Sequence, residues 1–97
     1  MSDLNPQPTF VIERDLPGAG KLSPQDLAAI ARKSCAVLDQ LGPSIQWIHS
    51  YVTANRIYCI YSSDDPALIH RHAELGGFPC TSISRVESVI DPSTASE

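Results

Sequence analysis

The stretch that decides the fold is residues 45–62, IQWIHSYVTANRIYCIYS. β-Branched and aromatic residues crowd both sides of Asn55, and asparagine is common in tight turns. The stretch therefore predicts two strands, 45–54 and 56–62, that pair as an antiparallel hairpin.

Outside the hairpin, the chain alternates between strand and helix patterns. Residues 9–14 (TFVIER) are typical of a strand, and the apolar residues of 24–41 recur at helical spacing after an N-cap serine and a proline. A second capped helix is predicted at 67–75 and a fourth strand at 81–90. The resulting order, β-α-β-β-α-β, is the α+β ferredoxin-like arrangement, with both helices on one face of a four-stranded antiparallel sheet.

Length and composition favour one small domain. The chain has 97 residues, of which 42% are hydrophobic, so we expect a single domain over 9–92 and flexible termini at 1–8 and 93–97. A net charge of −4 argues against a nucleic-acid partner, and the apolar runs are too short to cross a membrane. The amino-terminal residues do not resemble a secretory signal, so the expected location is the cytoplasm.

The hairpin register predicts what each face of the sheet carries. If Thr53 pairs with Arg56, alternate residues share a face. One face then holds Ile48, Ser50, Val52, Ile57, Cys59 and Tyr61, with Phe10 and Ile12, and we assign it to the helices. The other, predicted to be uncovered, holds Trp47, His49, Tyr51, Tyr58 and Ile60, with Val11 and Glu13. An uncovered aromatic face predicts association with a second copy of the chain.

Histidine and carboxylate on that uncovered face indicate two kinds of chemistry. His49 and Glu13 are ligand types for nickel- or zinc-like ions, and they are also an acid and a base. In the alternative interpretation, His49 is a hydrogen-bonded interface residue and Glu13 is satisfied by Arg56 or a tyrosine hydroxyl. His72, near the end of its helix, either interacts as a cation with the helix terminus or lines a site. The candidate metal ligands are Glu13, His49 and His72, and the candidate ligand-pocket residues are Trp47, Tyr51 and Tyr58.

Four pieces of the chain resemble, in order, a family of small bacterial nickel-binding-protein-like proteins of mostly unassigned function. They are FVIERDLPG (10–18), WIHSYV (47–52), RIYCIY (56–61) and HAELGGFP (72–79). The residue types that match the family are Glu13, Asp15, Tyr51, Tyr58, His72, Gly77, Phe78 and Pro79. The resemblance implies a homodimer in which ferredoxin-like sheets face each other as a dimeric α/β barrel. It also implies nickel or another divalent transition metal as a cofactor.

The leading hypothesis is therefore a homodimer that binds a divalent transition metal, nickel by resemblance. His49 stands where relatives often carry a carboxylate, so the metal preference could differ here. One alternative is a small-molecule enzyme of the isomerase or cofactor-free oxygenase type. In it, Glu13 or His49 would move a proton and Tyr51 or Tyr58 would orient the substrate. Another is a non-catalytic module that binds a small molecule in a cleft beside the sheet.

Overall fold

The predicted order of elements is confirmed in the computed structural model, which describes residues 7–96. The elements are β1 (Thr9–Asp15), α1 (Pro24–Leu41), β2 (Ile45–Val52), β3 (Arg56–Ser63), α2 (Pro66–Gly76) and β4 (Ser82–Arg85), with 3₁₀ helices at Ala19–Lys21 and Pro92–Ser96. The sheet has the order β2-β3-β1-β4, and every pairing is antiparallel. This is the ferredoxin-like α+β fold.

Local side-chain chemistry fixes the ends of both helices. Ser23 caps α1: its Oγ accepts a hydrogen bond from the Asp26 amide at 3.0 Å, and the Ser23 amide donates one to Asp26 Oδ2 at 3.2 Å. This capping box satisfies two amides that the helix itself leaves unpaired. The Asp65 side chain caps the start of α2, and Gly77, with a φ of 67°, caps its end. A left-handed residue at this position is most easily glycine.

The hairpin has the predicted register in the half next to the turn and a β-bulge in the half away from the turn. Tyr51 pairs with Tyr58 and His49 pairs with Ile60, but Trp47 pairs with Tyr61 because one residue, Ile48, is inserted between the two registers. Beyond an inserted residue, each side chain of the strand lies on the opposite face from the one that strict alternation predicts.

The bulge corrects two predictions. Trp47 lies on the side of the sheet that the helices cover and not on the uncovered side, and it packs against the core. Ile48 was assigned to the helices, yet its side chain is 52% exposed.

We call the two sides of the sheet the helix face and the open face. The helix face carries Phe10, Ile12, Arg14, Trp47, Ser50, Val52, Ile57, Cys59 and Tyr61. The open face carries Val11, Glu13, His49, Tyr51, Tyr58 and Ile60.

The fourth strand is shorter than the predicted 81–90. It pairs with β1 only from Ser82 to Arg85, and the Val86 amide then donates to the Thr9 carbonyl. Val89 and Ile90, which were predicted to lie in the strand, are therefore highly exposed.

Helix α1 packs closely against the rest of the protein only in its second half. Val37 is buried, and Leu38 and Leu41 pack against the core cluster. In the first half, Leu27 and Ile30 are only half-buried and border a cavity. The apolar stripe of α1 therefore serves the core at one end and the cavity wall at the other.

The predicted flexible termini are described only in part. Residues 1–6 and 97 lie outside the described residues, whereas the Gln7 side chain donates to the Ser44 carbonyl at 3.1 Å. Residues 93–96 belong to the carboxyl-terminal 3₁₀ helix. Within 7–96, no helix has the length and hydrophobicity needed to cross a membrane.

Candidate functional site

A cavity of about 460 Å³ lies between α1, the helix face of the sheet and the segment that follows α2. Ligand pockets typically measure roughly 300–1,000 Å³, so the cavity can hold a small molecule. Most of its wall is apolar, with Leu27 and Ile30 on one side and Trp47 and Ile57 on the other. Exposed residues such as Lys33 also contribute to the lining, so the cavity reaches the protein surface.

Arg14 places a guanidinium group in the wall of this cavity. The residue is 4% exposed because it follows Phe10 and Ile12 on the buried side of β1. Its Nε donates to Cys59 Sγ at 3.3 Å and its Nη1 donates to the Pro79 carbonyl at 2.7 Å. Within residues 7–96, Nη2 has no hydrogen-bond partner, and no carboxylate forms a salt bridge with Arg14.

The charged residues that line the cavity are all basic. Arg14 and Lys33 are among its lining residues, and no Asp or Glu of the described chain is. The whole chain, in contrast, has a net charge of −4. Both cationic groups lie near the Phe78 ring, whose centroid is 5.5 Å from Arg14 Cζ and 5.9 Å from Lys33 Nζ. The cavity is therefore a locally positive region of an acidic protein.

His72 supports the wall of the cavity from behind. Its side chain is fully buried, its Nε2 lies 3.0 Å from Ser34 Oγ, and its ring stacks on Phe78 with centroids 5.2 Å apart. Burial, and secondarily the charge of Arg14, lowers the pKa of His72 to about 4. The imidazole is therefore neutral at pH 7, and the interpretation of His72 as a cation at the helix end is wrong.

Neutral polar groups complete the inner part of the cavity. Ser34 and Tyr61 both line it. Burial raises the pKa of Tyr61 above its ordinary value, so its hydroxyl stays protonated at neutral pH. The cavity thus offers hydroxyl groups and guanidinium nitrogens within an apolar wall.

The open face carries a separate set of polar side chains. His49 Nε2 lies 3.0 Å from the Tyr51 hydroxyl, and both residues are exposed. Arg56 Nη1 donates to Glu13 Oε1 at 3.1 Å, and Arg56 Nε lies 2.8 Å from Asp15 Oδ1. The interpretation in which Arg56 satisfies Glu13 is therefore confirmed.

The structure separates the candidate metal ligands. Glu13 and His49 lie on the open face, on strands that are not neighbours, whereas His72 is buried on the other side of the sheet. Across residues 7–96, no three or more His, Cys, Asp or Glu side chains form a group that could hold a metal ion. The described part of one chain does not by itself fit a nickel site.

The candidate pocket residues are also divided. Tyr51 and Tyr58 lie on the open face, while Trp47 lines the cavity on the helix face. Sequence reasoning did not single out Arg14 or Phe78 as cavity residues. The available signal was Arg14 itself, because it alternates with Phe10 and Ile12 on the side of β1 that is predicted to be buried. A charged residue at a buried position requires an explanation.

The chain is similar to one family model and to one solved structure described here. A family model described as "Nickel responsive protein SCO4226-like" matches residues 10–86. The crystal structure of SCO4226 from Streptomyces coelicolor A3(2) is similar to this chain, with a TM-score of 0.71 at 15% sequence identity. The match covers 84% of this chain and 99% of that one, and at this identity it shows the fold alone. No curated protein matches the chain.

Proposed function

Because this chain belongs to the family of SCO4226-like nickel responsive proteins, we propose that it binds a divalent transition metal, nickel first, as a homodimer whose open faces meet. The observation that carries the proposal is His49, an exposed imidazole on that face, within hydrogen-bond distance of Tyr51. Neutral imidazole is a common ligand for nickel and related ions.

The second copy supplies what the described part of one chain lacks. Both helices lie on the other side of the sheet, and Tyr51 is 58% exposed. A two-fold axis brings the same patch from both chains together, so each protomer contributes its own His49. The two His49 side chains would then serve as donors across the interface, whereas His72, buried on the helix side of the sheet, would take no part.

Replacing His49 is expected to abolish nickel binding. Calorimetric titration of metal-free protein with Ni²⁺ should give stoichiometric heat at micromolar concentrations, and His49→Ala should remove it. His70→Ala is the matched control, because His70 is an exposed histidine of α2. Wild-type protein that gives no heat, or His49→Ala protein that binds nickel like the wild type, would contradict the proposal.

Placing a charge on the open face is expected to dissociate the dimer. Light scattering of wild-type protein should give twice the monomer mass. Tyr51→Glu should raise the dimer dissociation constant about a hundredfold or more, since an unpaired buried charge costs several kcal/mol. Val89→Glu is the control, because Val89 is 81% exposed and outside the open face. A monomeric wild-type protein, or a Tyr51→Glu dimer of unchanged strength, would rule out this interface.

A further inference from the structure

We infer that the cavity on the helix face binds a small organic carboxylate whose apolar body lies between α1 and the sheet and whose carboxylate pairs with Arg14. This site is on the opposite side of the sheet from the proposed metal-binding face. It is independent of the proposed function, since Arg14 lies on the helix face and His49 on the open face.

The buried guanidinium of Arg14 is incompletely paired. A buried charge is destabilising unless it is paired, and arginine keeps its charge in proteins. Arg14 is 4% exposed, and within residues 7–96 it has two neutral acceptors, no carboxylate and a free Nη2. A bound anion would supply both the missing charge and the missing acceptor.

The charged residues around the cavity are of one sign. Its lining residues include Arg14 and Lys33 but no acidic residue of the described chain. With more acidic than basic residues in the sequence, an acid-free lining around two cations favours an anionic ligand over a cationic one.

The rest of the cavity wall is mostly apolar. Trp47, Phe78, Leu27 and Ile57 provide aromatic and aliphatic surface for a hydrocarbon body. Two hydrogen-bond donors of the lining are available to the oxygens of a carboxylate: Arg14 Nη2, which has no partner within residues 7–96, and the Ser34 hydroxyl. A phosphate dianion would require several donors. An apolar acid that carries one carboxylate therefore matches the cavity.

The Arg14 side chain has to adjust to make this contact. Its Nη2 is covered by the wall, so a carboxylate would reach it through a side-chain adjustment, which is common when a ligand binds. The exposed lining residues Lys33 and Pro79 mark where the ligand would enter.

The fluorescence of Trp47 provides the test, because it is the single tryptophan of the chain and it lines the cavity. The protein is titrated with 3-phenylpropionate, cyclohexanecarboxylate and octanoate, and with 3-phenylpropanamide as the neutral analogue of the first. We expect 3-phenylpropionate to bind about tenfold or more tightly than its amide, as one charge-assisted hydrogen bond implies. Arg14→Met should remove this preference.

Two further variants keep the test decisive. Arg32→Met is the matched control, because Arg32 is an exposed cation of α1 outside the cavity lining, and it should retain the preference for the acid. Ala31→Phe fills the cavity and leaves Arg14 in place, so it should abolish binding even if Arg14→Met does not fold. The inference is overturned if none of the three acids binds at millimolar concentration or if amide and acid bind equally. It is also overturned if Arg14→Met keeps the preference or if Ala31→Phe binds like the wild type.

Discussion

Lowering the pH from 7 to 5 is expected to reduce the free energy of unfolding by about 2 kcal/mol through His72 alone. The pKa of this buried imidazole is about 4 in the folded protein, against an ordinary value of 6.5. Between these two values the unfolded chain binds a proton that the folded protein does not, so stability falls as the pH falls. The contribution is fully present above pH 6.5 and lost below about pH 4.

Urea denaturation at several pH values between 7 and 5 measures this effect. His72→Gln, which does not titrate, should be less stable at pH 7 but show a much flatter pH dependence. His70→Gln should keep the wild-type slope, because His70 is exposed. If His72→Gln and the wild type lost equal stability over this range, His72 would not be the group responsible.

Adding one methyl group at Gly76 is expected to destabilise the protein by about 2 kcal/mol, although alanine is the better helix former. Gly76 is the last residue of α2, and an added Cβ would clash with the ring of Phe78. The Phe78 ring can make room only by leaving its stack on the buried His72 ring. The crowding should therefore outweigh the gain in helix propensity.

A double-mutant cycle separates these two effects. In a Phe78→Leu background the ring is absent, so Gly76→Ala should become neutral or stabilising, as helix propensity alone predicts. The unfolding free energies of the wild type, the two single variants and the double variant give the coupling energy between residues 76 and 78. If Gly76→Ala had the same effect in both backgrounds, contact with Phe78 would not be the cause. Phenylpropionate binding to Gly76→Ala would show whether displacement of the ring also disturbs the cavity.

The sequence was sufficient for those parts of the fold that depend on neighbours along the chain. Ser23 and Asp65 indicated where the helices begin, and the Thr53–Arg56 register correctly paired Tyr51 with Tyr58. Caps and tight turns involve residues within a few positions of each other, so local sequence patterns are enough to predict them.

The candidate cavity was less accessible to sequence reasoning, because its parts are far apart in the chain. Ser34 and His72 are separated by 38 residues, and Arg14 meets the Pro79 carbonyl across 65. Neither pairing follows from a local pattern. The bulge at Ile48 had the same consequence for Trp47: one inserted residue moved the indole from the predicted uncovered face to the cavity wall.

The order of elements, the helix caps and the side of the sheet that carries His49 and Tyr51 follow from the sequence alone. Helical and strand periodicities and turn residues encode these features locally. Three other features came from the folded structure: β4 is short, His72 is buried and neutral, and Arg14 lies in a cavity wall with an incomplete set of partners. These features depend on which surfaces pack together, and packing joins residues that the linear chain keeps apart.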